Sequence, residues 1–200
     1  MVVSTRDLVL ASASPARLGL LRAAGLAPTV VVSGVDEPPY AVGDPSDYVR
    51  GLAGLKVRAV VAELDPGPLV LGCDSVLQLG DQLFGKPATP AEAVGRWQQM
   101  RGTSGTLLTG HCLVDTLSGT LVADVAATTV HFGSPTDAEI AAYVATGEPL
   151  HVAGAFTLDG RSGPYVAGIE GDHGNVLGLS LPLLRALLLQ LDIAIHELWA

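Results

Sequence analysis

Lysine is nearly absent from this chain. Of eleven basic side chains only Lys56 and Lys86 are lysines, and the other nine are arginines. Where arginine supplies the solvated positive charge, a position that keeps lysine is one suited to a compact point charge rather than a planar fork. Cysteine is equally scarce. Cys73 and Cys112 stand alone, without a CxxC pair or a nearby pair of histidines. That argues for a reducing compartment and for thiols in the core rather than thiols as ligands. The five histidines are scattered without metal-binding spacing, and nothing matches GxxxxGKS or GxxxxGKT, which excludes a P-loop protein. No basic amino end precedes an apolar stretch and a small-residue cleavage site, so a cytoplasmic location is expected. The most apolar segment, LGLSLPLLRALLLQLDIAI, is broken by Ser180, Pro182, Arg185, Gln190 and Asp192, which suits a buried helix and excludes a membrane partner. A net charge of −9 makes long nucleic acid an unfavourable partner, and a small anion needs a local positive pocket.

What is present suits one compact α/β unit. Two hundred residues, 48% of them hydrophobic, bury roughly 70% of the surface exposed by the unfolded chain and need no staples. Apolar, β-branched runs predict strands at 8–11, 28–32, 69–72, 75–79, 107–114, 121–132 and 165–169. Helical patterns cover 15–24, 45–63, 90–100, 135–146 and 181–191. The mixture has no regular βαβ beat, so the expected fold is α/β, a mixed sheet flanked by helices.

Four of the helix starts use one device, a capping residue followed by proline: Ser14-Pro15, Asp44-Pro45, Thr89-Pro90 and Ser134-Pro135. Three of them place a carboxylate at the third helical position, Asp47, Glu92 or Asp137, where it suits the positive end of the helix dipole. The first, within SASPAR, places Arg17 there. A cation in the first turn opposes the dipole by ~0.3–1 kcal/mol. It becomes favourable when an anion is also held by backbone N–H groups, the Ser12 and Ser14 hydroxyls and the guanidinium. Lys86, in FGKPATPAE, stands before a capped helix, where a phosphate would meet both its ammonium and the helix end. Lys56 lies mid-helix in GLAGLKVRAV, one turn from Leu52 and Val60, at the edge of an apolar face.

Acids follow two of the strand-like runs. Asp74, in PLVLGCDSVLQLG, comes directly after an apolar stretch, and a carboxylate at the end of a buried strand needs a cation, a metal or hydrogen-bond donors. Asp36 and Glu37 follow another run in VVSGVDEPP, where Asp36 reads as turn chemistry. Two or three such oxygens, with waters, are what Mg²⁺ accepts when it also binds a phosphate.

The ordered series SASPAR, VDE, LAGLKVRA, LGCDSV, FGKP, AGAFTLDG and IEGDHGNVLGLSL resembles the Maf family of nucleoside triphosphate pyrophosphatases, also called septum-formation inhibitors, from about Leu8 to Leu191. The resemblance implies a single Maf-like domain over 1–200, with two lobes around a cleft as in inosine triphosphate pyrophosphatases. It implies hydrolysis between the α- and β-phosphates of a nucleoside triphosphate with a divalent metal, Mg²⁺ or Mn²⁺. On matching motif positions Ser14, Arg17, Lys56 and Lys86 hold phosphate. Glu37 and Asp74 serve the metal and the attacking water, Asp74 falling where the family's proposed proton acceptor lies.

The chain departs from the family pattern at three places. Ala16 replaces the first arginine of SxSPRR, Thr103 and Gly105 replace an arginine and a histidine of LSGRxHxVxTG, and Asp159 in TLDG replaces the glutamine found in members that prefer dTTP and UTP. A glutamine amide both donates and accepts, whereas an ionised aspartate only accepts. Asp159 as a base-reading residue therefore predicts no strong preference for UTP or dTTP. The expected activity is release of a nucleoside monophosphate and pyrophosphate, in a role such as clearing modified nucleotides. The rival is a nucleotide-binding regulator of cell division that does not hydrolyse. A homodimer is left open.

Overall fold

A computed structural model of the chain describes residues 6–40 and 43–200. Among these residues the strands are β1 (Leu8–Leu10), β2 (Thr29–Val30), β3 (Leu69–Leu79), β4 (Gln82–Phe84), β5 (Ser104–Asp115), β6 (Thr120–Phe132) and β7 (Val166–Glu170). They join in one sheet of order β2-β1-β3-β5-β6-β7, with β4 paired to β3. β1 runs parallel to β2 and β3, whereas the β3–β4 and β6–β7 pairs are antiparallel, so the expected mixed sheet is found. The helices are α1 (Pro15–Ala23), α2 (Pro45–Val61), α3 (Pro90–Met100), α4 (Asp137–Ala145), α5 (His173–Val176) and α6 (Leu181–Gln190). None of them is long and apolar enough to cross a membrane.

The chain divides into two compact units. The first holds the described residues up to Asp74 with Thr109–Ala126 and Gly178–Ala200, and the second holds Ser75–Leu108 and Ala127–Leu177. In the first unit strand alternation sends successive side chains to opposite faces. Leu8 and Leu10 of β1, Leu69, Leu71 and Cys73 of β3, and Leu113 of β5 form one cluster with Leu21 of α1 and Leu184, Leu187 and Leu188 of α6. Their neighbours Val9, Val70, Cys112 and Val114 turn the other way and pack with Ala53, Val57 and Val60 of α2. Each large apolar side chain so buried stabilises by roughly 1.5–3 kcal/mol. Both thiols are core groups as expected: burial pushes Cys73 up to about 12 and Cys112 up to about 11, which leaves them unreactive near neutrality.

The second unit is built around Trp97 of α3. The rings of Tyr143, Tyr165 and Phe132 stand edge-on to it at 5.6, 5.9 and 6.0 Å, and its Nε1 donates to the Ala155 carbonyl at 2.8 Å. On the exposed side of this unit's strands, His131 of β6 bridges its neighbours. Its Nδ1 lies 2.7 Å from Ser104 Oγ on β5 and its Nε2 lies 2.9 Å from Glu170 Oε1 on β7.

β4 and α5 are not expected from the sequence, and two of the expected elements differ. The strands expected at 69–72 and 75–79 are a single strand, β3, so Asp74 lies inside a strand and not at its end. The fourth helix begins two residues later than Ser134-Pro135 suggests. Thr136 Oγ1 accepts from the Glu139 N–H at 3.3 Å while Glu139 Oε2 accepts from the Thr136 N–H at 2.7 Å, and this reciprocal capping box outcompetes proline at the first position. Ser14, Asp44 and Thr89 cap as predicted.

Candidate active site

The site in the first unit starts from two glycines that let α2 lie against the sheet. A Cβ on Gly72 of β3 would sit 2.6 Å from Val57 Cγ2 and 2.8 Å from the Ala53 carbonyl oxygen; one on Gly110 of β5 would sit 2.2 Å from the Val49 oxygen. Only glycine allows the helix backbone this close. Val70, Gly72 and, by the same alternation, Asp74 face α2. The helix residue next to Val57 is Lys56, and its ammonium reaches Asp74.

Three predicted residues converge here. Lys56 Nζ donates to Asp74 Oδ1 and lies 2.7 Å from Glu37 Oε1. The Lys56 and Asp74 side chains are only 12% and 10% exposed, and Glu37 is 49% exposed on an irregular segment. Burial raises the Asp74 carboxyl above the ordinary carboxylate range; the Lys56 and Arg17 charges oppose that shift without cancelling it. A buried acid that holds a proton more readily than usual, beside a cation, is suited to proton transfer.

Tyr48 of α2, absent from the sequence reading, steadies the segment that carries Glu37. Its hydroxyl donates to the Pro38 carbonyl at 2.9 Å, and its ring meets Tyr40 edge-on at 5.2 Å. Burial, followed by the negative charges of Asp74 and Glu37, raises the Tyr48 hydroxyl pKa. It therefore stays protonated beside them.

The SASPAR loop lies at the other side of Cys73. Ser14 caps α1 by accepting from the Arg17 N–H at 3.4 Å, and Ser12 Oγ accepts from the Ser14 N–H at 3.2 Å. Arg17 is buried and does not simply point into solvent. Its Nε donates to the Gly178 carbonyl at 2.8 Å, and its Nη1 donates to the Cys73 carbonyl at 2.7 Å and to Ser12 Oγ at 3.1 Å. The guanidinium thus clamps three chain segments while placing positive charge behind Asp74. Both serine hydroxyls accept through oxygen in these bonds, and an O–H can be directed at an anion.

A family model described as Maf-like protein matches residues 7–191. The chain belongs to the Maf-like protein family. It is 63% identical over 196 residues to a Streptomyces coelicolor protein named nucleoside triphosphate pyrophosphatase, covering 98% of this chain and 95% of that relative. Proteins of the same name from Streptomyces avermitilis and Mycobacterium sp. strain JLS are 57% and 51% identical, covering 97% and 98% of this chain and 95% and 99% of theirs. A solved Mycobacterium abscessus structure, titled nucleoside-triphosphatase / dITP/XTP pyrophosphatase, covers 63% of this chain and 72% of its own at 15% identity. Its TM-score is 0.39, too slight a likeness to bear on function.

The other two predicted contacts of the Maf-like chain lie in its second unit. Lys86 is exposed on the loop before α3; Arg96 Nη1 donates to the Gly85 carbonyl beside it at 2.5 Å. Just before that helix's cap, Glu92 Oε2 accepts from the Ala88 N–H at 2.8 Å, and Thr89 Oγ1 accepts from the Glu92 N–H at 3.2 Å. Asp159 is exposed in a turn, and its Oδ1 accepts from Thr157 Oγ1 at 2.5 Å. Asp36, back in the first unit, is exposed on the same irregular segment as Glu37.

A metal fits this donor set in one form only. Among the described residues no three His, Cys, Asp or Glu side chains gather as a cage. Two carboxylates, from Glu37 and Asp74, do point at one spot. Mg²⁺ is commonly held by one or two carboxylates, with waters and substrate phosphates completing its shell.

Proposed function

We propose that this Maf-like protein hydrolyses nucleoside triphosphates to the nucleoside monophosphate and pyrophosphate, using a divalent cation at Glu37 and Asp74. The observation that carries the reading is the meeting of Asp74, Glu37 and Lys56 at one point, beside the buried Arg17 and the Ser12 and Ser14 hydroxyls. Relatives that match over nearly their whole length and carry the name nucleoside triphosphate pyrophosphatase support the reaction class.

In this reading Ser12, Ser14, Arg17 and Lys56 offset the charge of the phosphate oxygens, and the gain is largest where charge builds at the bond being broken. Asp74, fixed in β3 with its pKa raised by burial, accepts or orients the proton of the attacking water. The oxygen of that water bonds to the α-phosphorus, the bond from the α-phosphorus to its bridging oxygen breaks, and pyrophosphate leaves. A divalent cation at the two carboxylates supplies further charge neutralisation and lowers the pKa of a bound water. Lys86 and Asp159 enter as phosphate and base contacts through their motifs, FGKP and TLDG. A cytoplasmic location completes the reading.

The test is a nucleotide panel with Mg²⁺ or Mn²⁺, followed by phosphorus NMR. Monophosphate and pyrophosphate should appear together, and chelation should stop the reaction. Orthophosphate as first product overturns the reading. Binding without turnover across the panel leaves a nucleotide sensor instead.

A further inference from the structure

We infer that Lys56 is the resident counter-cation of the metal position: its ammonium holds Glu37 and Asp74 together without nucleotide, excludes a free divalent cation, and is displaced only when metal and triphosphate arrive together. This rests on the pyrophosphatase reading above and adds an order of assembly to it.

The geometry is that of a cation with two carboxylate ligands. Lys56 Nζ donates to Asp74 Oδ1 and stands 2.7 Å from Glu37 Oε1, so one ammonium bridges both acids. Two ligand oxygens each within a hydrogen-bond length of one atom are less than ~6 Å apart. Adjacent oxygens in a Mg²⁺ shell, with bonds of 2.0–2.1 Å, are ~3 Å apart. The acids are therefore gathered around one cation position, and the ammonium occupies it. Asp74 cannot move far, being inside β3 with α2 packed on it at Gly72. Glu37 has more freedom to adjust to an ion, because it is half-exposed on an irregular segment.

Removing the ammonium without replacement leaves two like charges a few ångströms apart, one of them poorly solvated, which is strongly unfavourable. A metal alone must also strand the Lys56 charge, whose side chain is only 12% exposed. A metal carried on a triphosphate meets both needs at once: the ion takes the carboxylates and a phosphate oxygen takes the ammonium. The two ligands then bind with positive coupling, and by linkage each raises the affinity of the other by the same factor. Arg17 cannot stand in for Lys56, since its Nε and Nη1 are already committed to Gly178, Cys73 and Ser12.

The test measures Mn²⁺ affinity by calorimetry and by loss of the free-ion EPR signal, at one fixed pH for every protein. Wild type, Lys56→Met and Lys56→Arg are compared, each with and without a triphosphate analogue that is not cleaved between its α- and β-phosphates. Wild type and Lys56→Arg should bind Mn²⁺ weakly alone, and wild type should bind it at least ~10-fold more tightly with the analogue, within the usual range of coupling. Lys56→Met should bind Mn²⁺ alone at least ~10-fold more tightly than wild type, with most of the coupling gone. Lys56→Met that binds free Mn²⁺ no better than wild type overturns the proposal, provided its circular dichroism and melting show a folded protein. Pyrophosphate release by wild type is measured on the same preparation. Its absence counts against the enzyme reading, whereas the Mn²⁺ comparison decides the role of Lys56.

Discussion

Gly72→Ala tests whether close approach of α2 to β3 builds the site. Placed on the existing backbone, the new methyl lies 2.8 Å from the Ala53 carbonyl oxygen, about 0.6 Å short of the 3.4 Å at which ordinary contact begins. It also lies 2.6 Å from Val57 Cγ2. Neither neighbour yields readily: one is helix backbone, and the other is a β-branched side chain with one strongly preferred rotamer in a helix. The helix must therefore retreat by somewhat less than ~1 Å. Overpacking of this kind costs ~1–3 kcal/mol, which for a chain of this length lowers the melting temperature by on the order of 2–12 °C. Lys56 precedes Val57, so the ammonium moves away from Asp74 with the helix. A misplacement near 1 Å costs up to ~10²-fold in rate, and the specificity constant should fall ~10- to 100-fold. Calorimetric melting and a continuous pyrophosphate assay measure both effects. Gly19→Ala is the control: no atom lies within 4 Å of its new methyl, and a helical glycine replaced by alanine should be neutral or stabilising by up to ~1 kcal/mol. A Gly72→Ala protein with wild-type melting and wild-type activity would refute the reasoning.

Asp74→Asn keeps the size and removes the charge, so turnover should fall by ~10²-fold or more while the melting transition persists; near-normal turnover in a folded protein removes Asp74 from the chemistry. Asp115 accepts from Arg6 Nη2 at 2.5 Å, and that partner holds its carboxyl well below the usual range. A depressed pKa gives stability that is present above the unfolded carboxylate pKa of ~4 and is lost as pH falls through the folded value. Asp115→Asn should thus melt below wild type at neutral pH, by ~1–2 kcal/mol, with the gap closing in acid. A gap that does not depend on pH shows that the ion pair is not its source. Asp159→Gln should move specificity toward UTP and dTTP by ~1–3 kcal/mol if the carboxylate reads the base. An unchanged ranking of UTP, CTP and GTP leaves Asp159 as the turn residue that its Thr157 contact describes.

Helix starts were legible in the sequence because a cap is a contact over three residues. Ser14, Asp44 and Thr89 each needed only their own neighbours to satisfy a free N–H. Ser134-Pro135 misled for the same local reason, since Thr136 and Glu139 offered two bonds where serine and proline offered one. The apolar runs of β1 and β3 likewise announced strands, and in the structure both of their faces are covered. The motif series, read in order, was enough to place the chain in its family before any distance was measured.

What the sequence could not decide was where partners come from. Asp74 looked like a strand terminator because a charge in a buried strand is costly, and the cation that offsets it sits eighteen residues away on α2. Gly72 lay unremarked inside an apolar run, although its missing side chain is what lets that helix approach. Arg17 read as a ligand for an anion, and the fold also gives it the carbonyls of Cys73 and Gly178, 56 and 161 residues distant. Lys86 stood before a helix whose first turn carries the Glu92 carboxylate, folded back onto the Ala88 N–H. The sequence by itself determined which residue types were available and which local bonds they make. Only the tertiary structure decided which charges meet, because electrostatic and packing energies depend on distance through space and not on separation along the chain.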